Sequence, residues 1–234
     1  MSGHSHWASI KHKKGAEDAK RSKVFSKVSK LISVAVREKG ADPATNPSLR
    51  TAIEQAKQVN MPKENIERSI KKGTGELAGE SLDSFIFEAF GPDNVALIIE
   101  GITDNKNRTL GDIKQILSQH NGKLAGEGSI KWMFERKGVI SIAEKRTEEL
   151  ELKIIESGAE DIKWQDDMAD VITKPEELEQ VKSILEKEGL KIENSSLGWI
   201  PKEEVDANKE KLEKLFESLD DNDSVQNIYS NAKW

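Results

Sequence analysis

Between residues 73 and 84 the apolar residues of this chain change their spacing, and that break constrains the fold more than any other feature. Ahead of it they recur at helical intervals. Behind it, short apolar runs of strand length alternate with helical stretches. Residues 16–39 read as one amphipathic helix, with Val24, Phe25, Val28, Leu31, Ile32, Ala35 and Val36 forming a core-facing stripe. Lys20, Lys23, Lys27 and Lys30 fall within roughly 80° of arc, centred about 130° from that stripe. The pattern predicts one packed face and one open row of ammonium groups. Gly40 is placed to stop this helix, and Asp42-Pro43 with Asn46-Pro47 make the turn. A second helix is expected at 47–59 and a third from Pro62 to Lys72, closed by Gly73-Thr74-Gly75, with residues 73–83 as a linker.

After the break, residues 84–90 and 94–102 read as strands joined at Gly91-Pro92-Asp93, followed by a helix at 107–120 and a strand at 130–135. A βαββαβ series then runs through strands 138–143, 160–165, 168–173 and 190–197, with helices at 147–157 and 175–188. That order is a complete split-βαβ, ferredoxin-like unit. The last helix (206–219) and strand (224–230) are too little to fold alone, and segment 76–136 lacks such a finish. The expected fold class is therefore α+β: an all-helical domain of residues 1–75, a discontinuous α/β domain of 76–136 and 206–234, and a third, ferredoxin-like domain of 137–205 inserted in the second.

Charge is segregated along the same lines. Residues 1–75 hold 16 Lys+Arg against 7 Asp+Glu, a net of +9, while the whole 234-residue chain carries −6 and the remainder therefore −15. A polyanion approaching the molecule meets one basic end, which points to nucleic acid as partner. A mean hydropathy of −0.64 describes a heavily charged chain. No apolar run approaches the length of a membrane span, and residues 1–7 lack the apolar stretch of a signal peptide. A cytoplasmic protein without membrane contact is expected. Cysteine is absent, which excludes disulfides, thiolate metal sites and cysteine nucleophiles.

The basic leader Lys11-His12-Lys13-Lys14, continuing through Lys20, Arg21, Lys23, Lys27 and Lys30, suits phosphate contacts that gain entropy by counterion release. Trp7 suits either stacking on a base or folding back as an anchor on the helical domain. His4 joins this leader as a contact candidate. With His6 and His12 it also invites a metal reading, but no carboxylate or helical ligand supports one, so no metal and no cofactor is expected. Arg68, Lys71 and Lys72 form a second cluster that also complements a helix C-terminus. Asn105, Lys106, Asn107, Arg108 and Thr109 lie in a dense polar loop before a helix, where one Asn serves as N-cap and the rest form a secondary contact surface. A helix-turn-helix around Asn60-Met61-Pro62 would present Lys63, Asn65 and Arg68 to base edges. Gly73-x-Gly75 closes a helix instead of opening one, so it is no dinucleotide fingerprint. Asp220-Asp221-Asn222-Asp223 reads as a solvated turn. No constellation proposes an active site or a small-molecule substrate.

Gly3-His4-Ser5-x-Trp7-Ala8-x-Ile10-Lys11-His12, Asn46-Pro47-x-Leu49-Arg50, Asn60-Met61-Pro62-Lys63, Asp104-Asn105-Lys106-Asn107-Arg108-Thr109 and Trp132-Met133-Phe134-Glu135-Arg136-Lys137-Gly138 resemble the YebC family of bacterial proteins, whose mitochondrial relatives activate translation of cytochrome c oxidase. The family's usual Lys is His6 here, and residues 196–205 match only in part. The resemblance implies a three-domain cytoplasmic protein without catalysis. Some members bind DNA, and members are tied to the ribosome, where they relieve stalling on proline-rich stretches. The combined expectation is a non-enzymatic, nucleic-acid-binding regulator that favours ribosomal RNA, with a DNA-binding transcriptional regulator as the alternative.

Overall fold

The computed structural model describes residues 18–78, 81–165 and 167–233, with side chains described from Arg21 onward, Gln165 excepted. Three helices come first: α1 (Asp18–Lys39), α2 (Pro47–Gln58) and α3 (Lys63–Thr74). Val28, Ile32, Ala35 and Val36 of α1 close over Leu49, Ala52 and Ala56 of α2, Met61 and Ile66. Full burial of a side chain such as Ile32 or Leu49 stabilises by about 1.5–3 kcal/mol. Asn46 is the joint between the first two helices. Its carbonyl oxygen caps α2 by accepting from the Leu49 N–H, while its amide donates to the carbonyls of Ala35 and Gly40, both at 2.8 Å. Gly73 lies where α3 touches α1. A Cβ there would come within 2.7 Å of the Ser33 carbonyl and of Val36 Cβ, so only glycine permits this approach.

The first sheet comprises β1 (Asp83–Phe90), β2 (Ala96–Thr103), β3 (Lys123–Leu124) and β9 (Val225–Ser230), in the order β3-β1-β2-β9 and antiparallel throughout. Helices α4 (Lys106–Gln119) and α7 (Lys209–Asp220) cover one face, with Ile113, Leu117, Leu212 and Phe216 packed on Phe85, Leu97, Ile99 and Ile228. The chain thus leaves this sheet after β3 and returns from its C-terminal end to complete it.

Between departure and return lies the second sheet: β4 (Phe134–Ile142), β5 (Asp161–Gln165), β6 (Met168–Thr173) and β7 (Ile192–Pro201), in the order β5-β6-β4-β7. Its helices, α5 (Glu148–Glu156) and α6 (Leu178–Lys187), cover Ile140, Ile142, Ala169 and Val171. A two-residue parallel ladder between β8 (Val205–Asp206) and β10 (Ala232–Lys233) closes the fold.

One expectation changes in kind. The strands expected at 130–135 and 138–143 are a single strand, β4, entered from a 3-10 turn at Lys131–Met133. No turn residue interrupts it, and Arg136 and Lys137 continue the ladder opposite Trp199 and Gly198 of β7. The front of this strand pair belongs to the first sheet's packing: Phe134 and Trp199 press with Ile130 on Ala96, Ile98 and Tyr229. The Glu100 carboxylate fixes the junction, accepting from Arg136, from the Trp199 indole at 2.7 Å and from the Tyr229 hydroxyl. The near ends of β4 and β7 therefore pack directly on the first sheet. Among the described residues no helix is long and apolar enough to cross a membrane.

Candidate nucleic-acid interface

Of the leader residues, His4, Trp7, Lys11, His12, Lys13 and Lys14 lie outside the described residues, as does the side chain of Lys20. The rest of the expected row is in view, and it is not an open row. Lys27 is only 4% exposed. Its ammonium donates to the Asp220 carbonyl at 2.5 Å and to the Asp220 carboxylate at 2.8 Å. Lys23 donates to the Asp221 carboxylate at 3.1 Å, and Lys30 to the Asp223 carbonyl at 3.0 Å. Arg21 stays exposed, with its guanidinium 5.8 Å from the Phe25 ring centroid.

The cause is the C-terminal end of α7, where unpaired carbonyls and the negative end of the helix dipole meet three carboxylates. Such a site attracts cations, and α1 supplies them. The acidic run at 220–223, expected as a solvated turn, is instead a clasp that seats the helical unit on the first sheet. Gln226 adds a hydrogen bond to the Lys27 carbonyl at 3.3 Å.

The cations left available gather elsewhere. Arg68, Lys71 and Lys72 are exposed on α3 and make no ion pair within 4 Å among the described residues. Lys72 also lines a groove of about 580 Å³ between α1, α3 and the following segment, together with Lys30, Arg37, Ser26, Ser29 and Ser33. Ser29 and Ser33 are tied to Ser69 of α3, at 2.6 Å to its hydroxyl and 2.9 Å to its carbonyl respectively. Arg37 reaches Asp83 only at 3.7 Å.

The polar loop that opens α4 lies within electrostatic reach of Lys30. Asn105 is the N-cap, accepting from the Arg108 N–H at 3.0 Å. Arg108 pairs with Asp104. Burial pushes the Asp104 carboxyl up, but its own backbone N–H, Arg108 and Lys30 together outweigh this and hold it below the ordinary range. Lys106 and Asn107 point to solvent in the first turn. Thr109 does not join them. It is buried, with its hydroxyl 2.8 Å from that of Thr103, so it is a packing residue and not a surface contact. Two clusters far apart in sequence thus converge around Lys30, which lines the groove with Lys72 and acts electrostatically on Asp104.

Sequence reasoning missed Arg37 and the serines of the groove. Ser26, Lys30, Ser33 and Arg37 recur at i, i+4, i+7 and i+11, a polar stripe between the apolar and lysine faces that could have been found. It also missed Trp132, 67% exposed at the 3-10 turn before β4. The helix-turn-helix reading loses ground, because Glu64 and Glu67 stand exposed on the first turns of α3, where a recognition helix would meet the groove, and Lys63 is drawn to Glu67 at 3.6 Å. Among the described residues no group of three His, Asp or Glu is arranged to hold a metal ion. Asp170, pushed up to about 6 by burial against the Ser141 hydrogen bond at 2.7 Å and the Lys163 charge, lies on the second sheet.

Comparison with known proteins adds three findings. Residues 5–76 match the family model described as TACO1/YebC protein N-terminal domain, and residues 82–232 match that of the TACO1/YebC second and third domain. Proteins named probable transcriptional regulatory protein are similar along the whole length: one from Pseudothermotoga lettingae is 49% identical, and one from Thermosipho melanesiensis 50%, each over 99% of this chain and 93% of its own. The crystal structure of a conserved hypothetical protein from Aquifex aeolicus superposes with a TM-score of 0.88 at 45% identity, over 97% of this chain and 96% of that one.

Proposed function

The chain belongs to the TACO1/YebC family, and from that membership we propose that it is a non-enzymatic regulator of gene expression that acts by binding nucleic acid, ribosomal RNA foremost. The observation that carries this reading is the exposure of Arg68, Lys71 and Lys72 on α3 and of Lys106 on α4 without a carboxylate within 4 Å among the described residues, with Lys72 lining a serine-rich groove beside Lys30 and Arg37. Exposed cations without carboxylate partners are the groups whose phosphate contacts release counterions. Lys23 and Lys27 contribute in another way, by holding the helical unit where these groups converge. The basic leader precedes α1 in the sequence and adds to the charge of the same third of the chain. The net −15 of the remaining chain would be repelled by a polyanion, which limits engagement to one end.

The proposed mechanism is positional. Phosphates of the ribosomal RNA are gripped by the cationic end, and the two sheets, packed together where β4 and β7 meet the first, are carried into place as a shaped body that relieves stalled synthesis. Co-sedimentation with ribosomes tests this. The triple change Lys71→Glu, Lys72→Glu and Lys106→Glu is expected to abolish it and to lower the salt slope of RNA binding by about 2–3. Unchanged co-sedimentation, with affinity insensitive to salt, would sink the reading.

The name borne by the relatives favours a second reading, a transcriptional regulator on DNA. That reading requires saturable binding to a defined promoter at physiological salt, at least ~10³ tighter than to random duplex. The exposed carboxylates on α3 weigh against entry of that helix into a DNA groove.

A further inference from the structure

We propose that Trp132 is a stacking platform for an unpaired nucleobase, giving the protein a second point of contact with single-stranded RNA; this rests on the nucleic-acid reading above. The chain's other described indole at the sheet junction shows the contrast. Trp199 is 7% exposed and donates its ring N–H to Glu100. Trp132 is 67% exposed, leaving in water most of a side chain that would otherwise bury about 150–250 Å².

Its exposure is held in place. The indole N–H donates to the Ser129 carbonyl at 2.8 Å, so the ring's polar edge is turned to the loop and its orientation is fixed there. Beneath it, the buried Glu88 carboxylate accepts backbone N–H groups from Gly128 and Ile130, each at 2.5 Å, and from Lys131 at 2.8 Å. Burial pushes this carboxyl up, but the three N–H donors and the Lys131 charge outweigh it and hold it below the ordinary range. A buried charge bonded by three amides of one loop is a costly device. Its product here is a fixed position for residues 128–132. Ile130 and Met133, either side of the exposed ring, are seated in the cluster beneath it.

Cations complete the site. The Lys131 ammonium lies 5.2 Å from the Trp199 ring centroid, and that of Lys123 lies 5.7 Å from the Phe90 centroid, both rings of that same cluster. Neither lysine makes an ion pair within 4 Å among the described residues. Glu127 is the loop's one carboxylate. An oriented, exposed indole above a cluster whose other rings carry two ammonium groups fits a base with its phosphate, and stacking tolerates any base because each has a π-face. An apolar protein partner would gain nothing from those lysines.

The test compares the full chain with Trp132→Ala, Trp132→Leu and Trp132→Phe, measuring affinity for a labelled single-stranded RNA and for a duplex of equal length at fixed salt. Trp132→Ala and Trp132→Leu should lose about 5- to 150-fold on the single strand and nothing on the duplex, while Trp132→Phe keeps most of the affinity. Trp132→Leu retains apolar bulk, so its loss identifies the π-face. If Trp132→Ala binds the single strand like the parent while the Lys71, Lys72 and Lys106 reversals still abolish binding, stacking is wrong and the nucleic-acid reading survives. Should the parent bind no RNA, both fall. Loss of ribosome co-sedimentation with RNA affinity intact would assign Trp132 to a protein partner and overturn the proposal.

Discussion

The Lys27 ammonium and Asp220 meet twice, at 2.5 Å through the Asp220 carbonyl and at 2.8 Å through its carboxylate, across 193 residues of chain. The contact is unequal. The Lys27 side chain is almost wholly enclosed, whereas water still reaches Asp220. Removing the carboxylate therefore leaves the more deeply buried charge with no counter-charge at this site and only the carbonyl at position 220 as acceptor.

That asymmetry sets the first expectation. Asp220→Ala should lower stability by about 2–4 kcal/mol, and Lys27→Met by distinctly less, because Asp220 can be rehydrated when left alone. Urea unfolding of the two variants measures the difference. Equal losses below about 0.5 kcal/mol would make this no more than a surface ion pair. Charge reversals meant to probe RNA binding should accordingly spare Lys27.

Asn46 carries three hydrogen bonds while fully buried, as cap of α2 and clamp on the end of α1. Asn46→Ala removes the cap and the two amide hydrogen bonds that tie it to the end of α1, for a loss of about 1–3 kcal/mol. Asn46→Ser keeps the capping oxygen and should recover part of it. Thermal unfolding checks both, and equal melting temperatures for Ala and Ser would show that the cap contributes nothing.

At Gly73 two effects oppose each other. Alanine gains about 1 kcal/mol in helix propensity but sets its methyl 2.7 Å from backbone oxygen and Val36, where overpacking costs about 1–3 kcal/mol. The steric cost should win, since the Ser33 carbonyl belongs to a helix and cannot swing aside. A more stable Gly73→Ala protein would mean that α1 and α3 part without penalty.

Asp170 predicts a pH dependence. Burial raises its carboxyl from an ordinary value of 3.8 to about 6, so the folded state holds its proton more tightly than the unfolded chain. Folding is then favoured at low pH and weakens as pH rises from about 4 to 6, with the whole penalty, about 2–3 kcal/mol, in place above that window. Asp170→Asn should stabilise the protein at pH 7 and flatten the profile between pH 4 and 6. Glu88 runs the other way, its contribution fading only as pH falls below the ordinary carboxylate range. Denaturant midpoints at pH 4, 5, 6 and 7 separate the two residues.

Much of the fold was legible because it is local. The stripe of Val28, Ile32 and Val36, the stop at Gly40 and an Asn cap before α4 each depend on a few neighbouring residues and stand as expected, the structure choosing Asn105 over Asn107 as that cap. Short β3, β8 and β10 were not legible, since two-residue strands exist only through their partners. The fusion of two expected strands into β4 likewise depends on β7, more than fifty positions away. Of the site, the exposed end of α3 and the Asn105 loop were readable as charge and capping chemistry. Thr109 was misplaced because nothing in its neighbours reveals that Thr103 and Ser224 enclose it.

Sequence alone determined where this chain is helical, which of its apolar runs form the longer strands, and that its positive charge is concentrated in the first 75 residues, for periodicity and composition are properties of nearby residues. Tertiary structure alone decided which lysines remain free for a partner. Helical geometry places Lys23, Lys27 and Lys30 on one face, but whether that face meets solvent depends on the end of α7, some two hundred residues later. Coulomb attraction acts through space and takes no account of chain order, so a basic row and an acidic turn that look independent in one dimension neutralise each other in three.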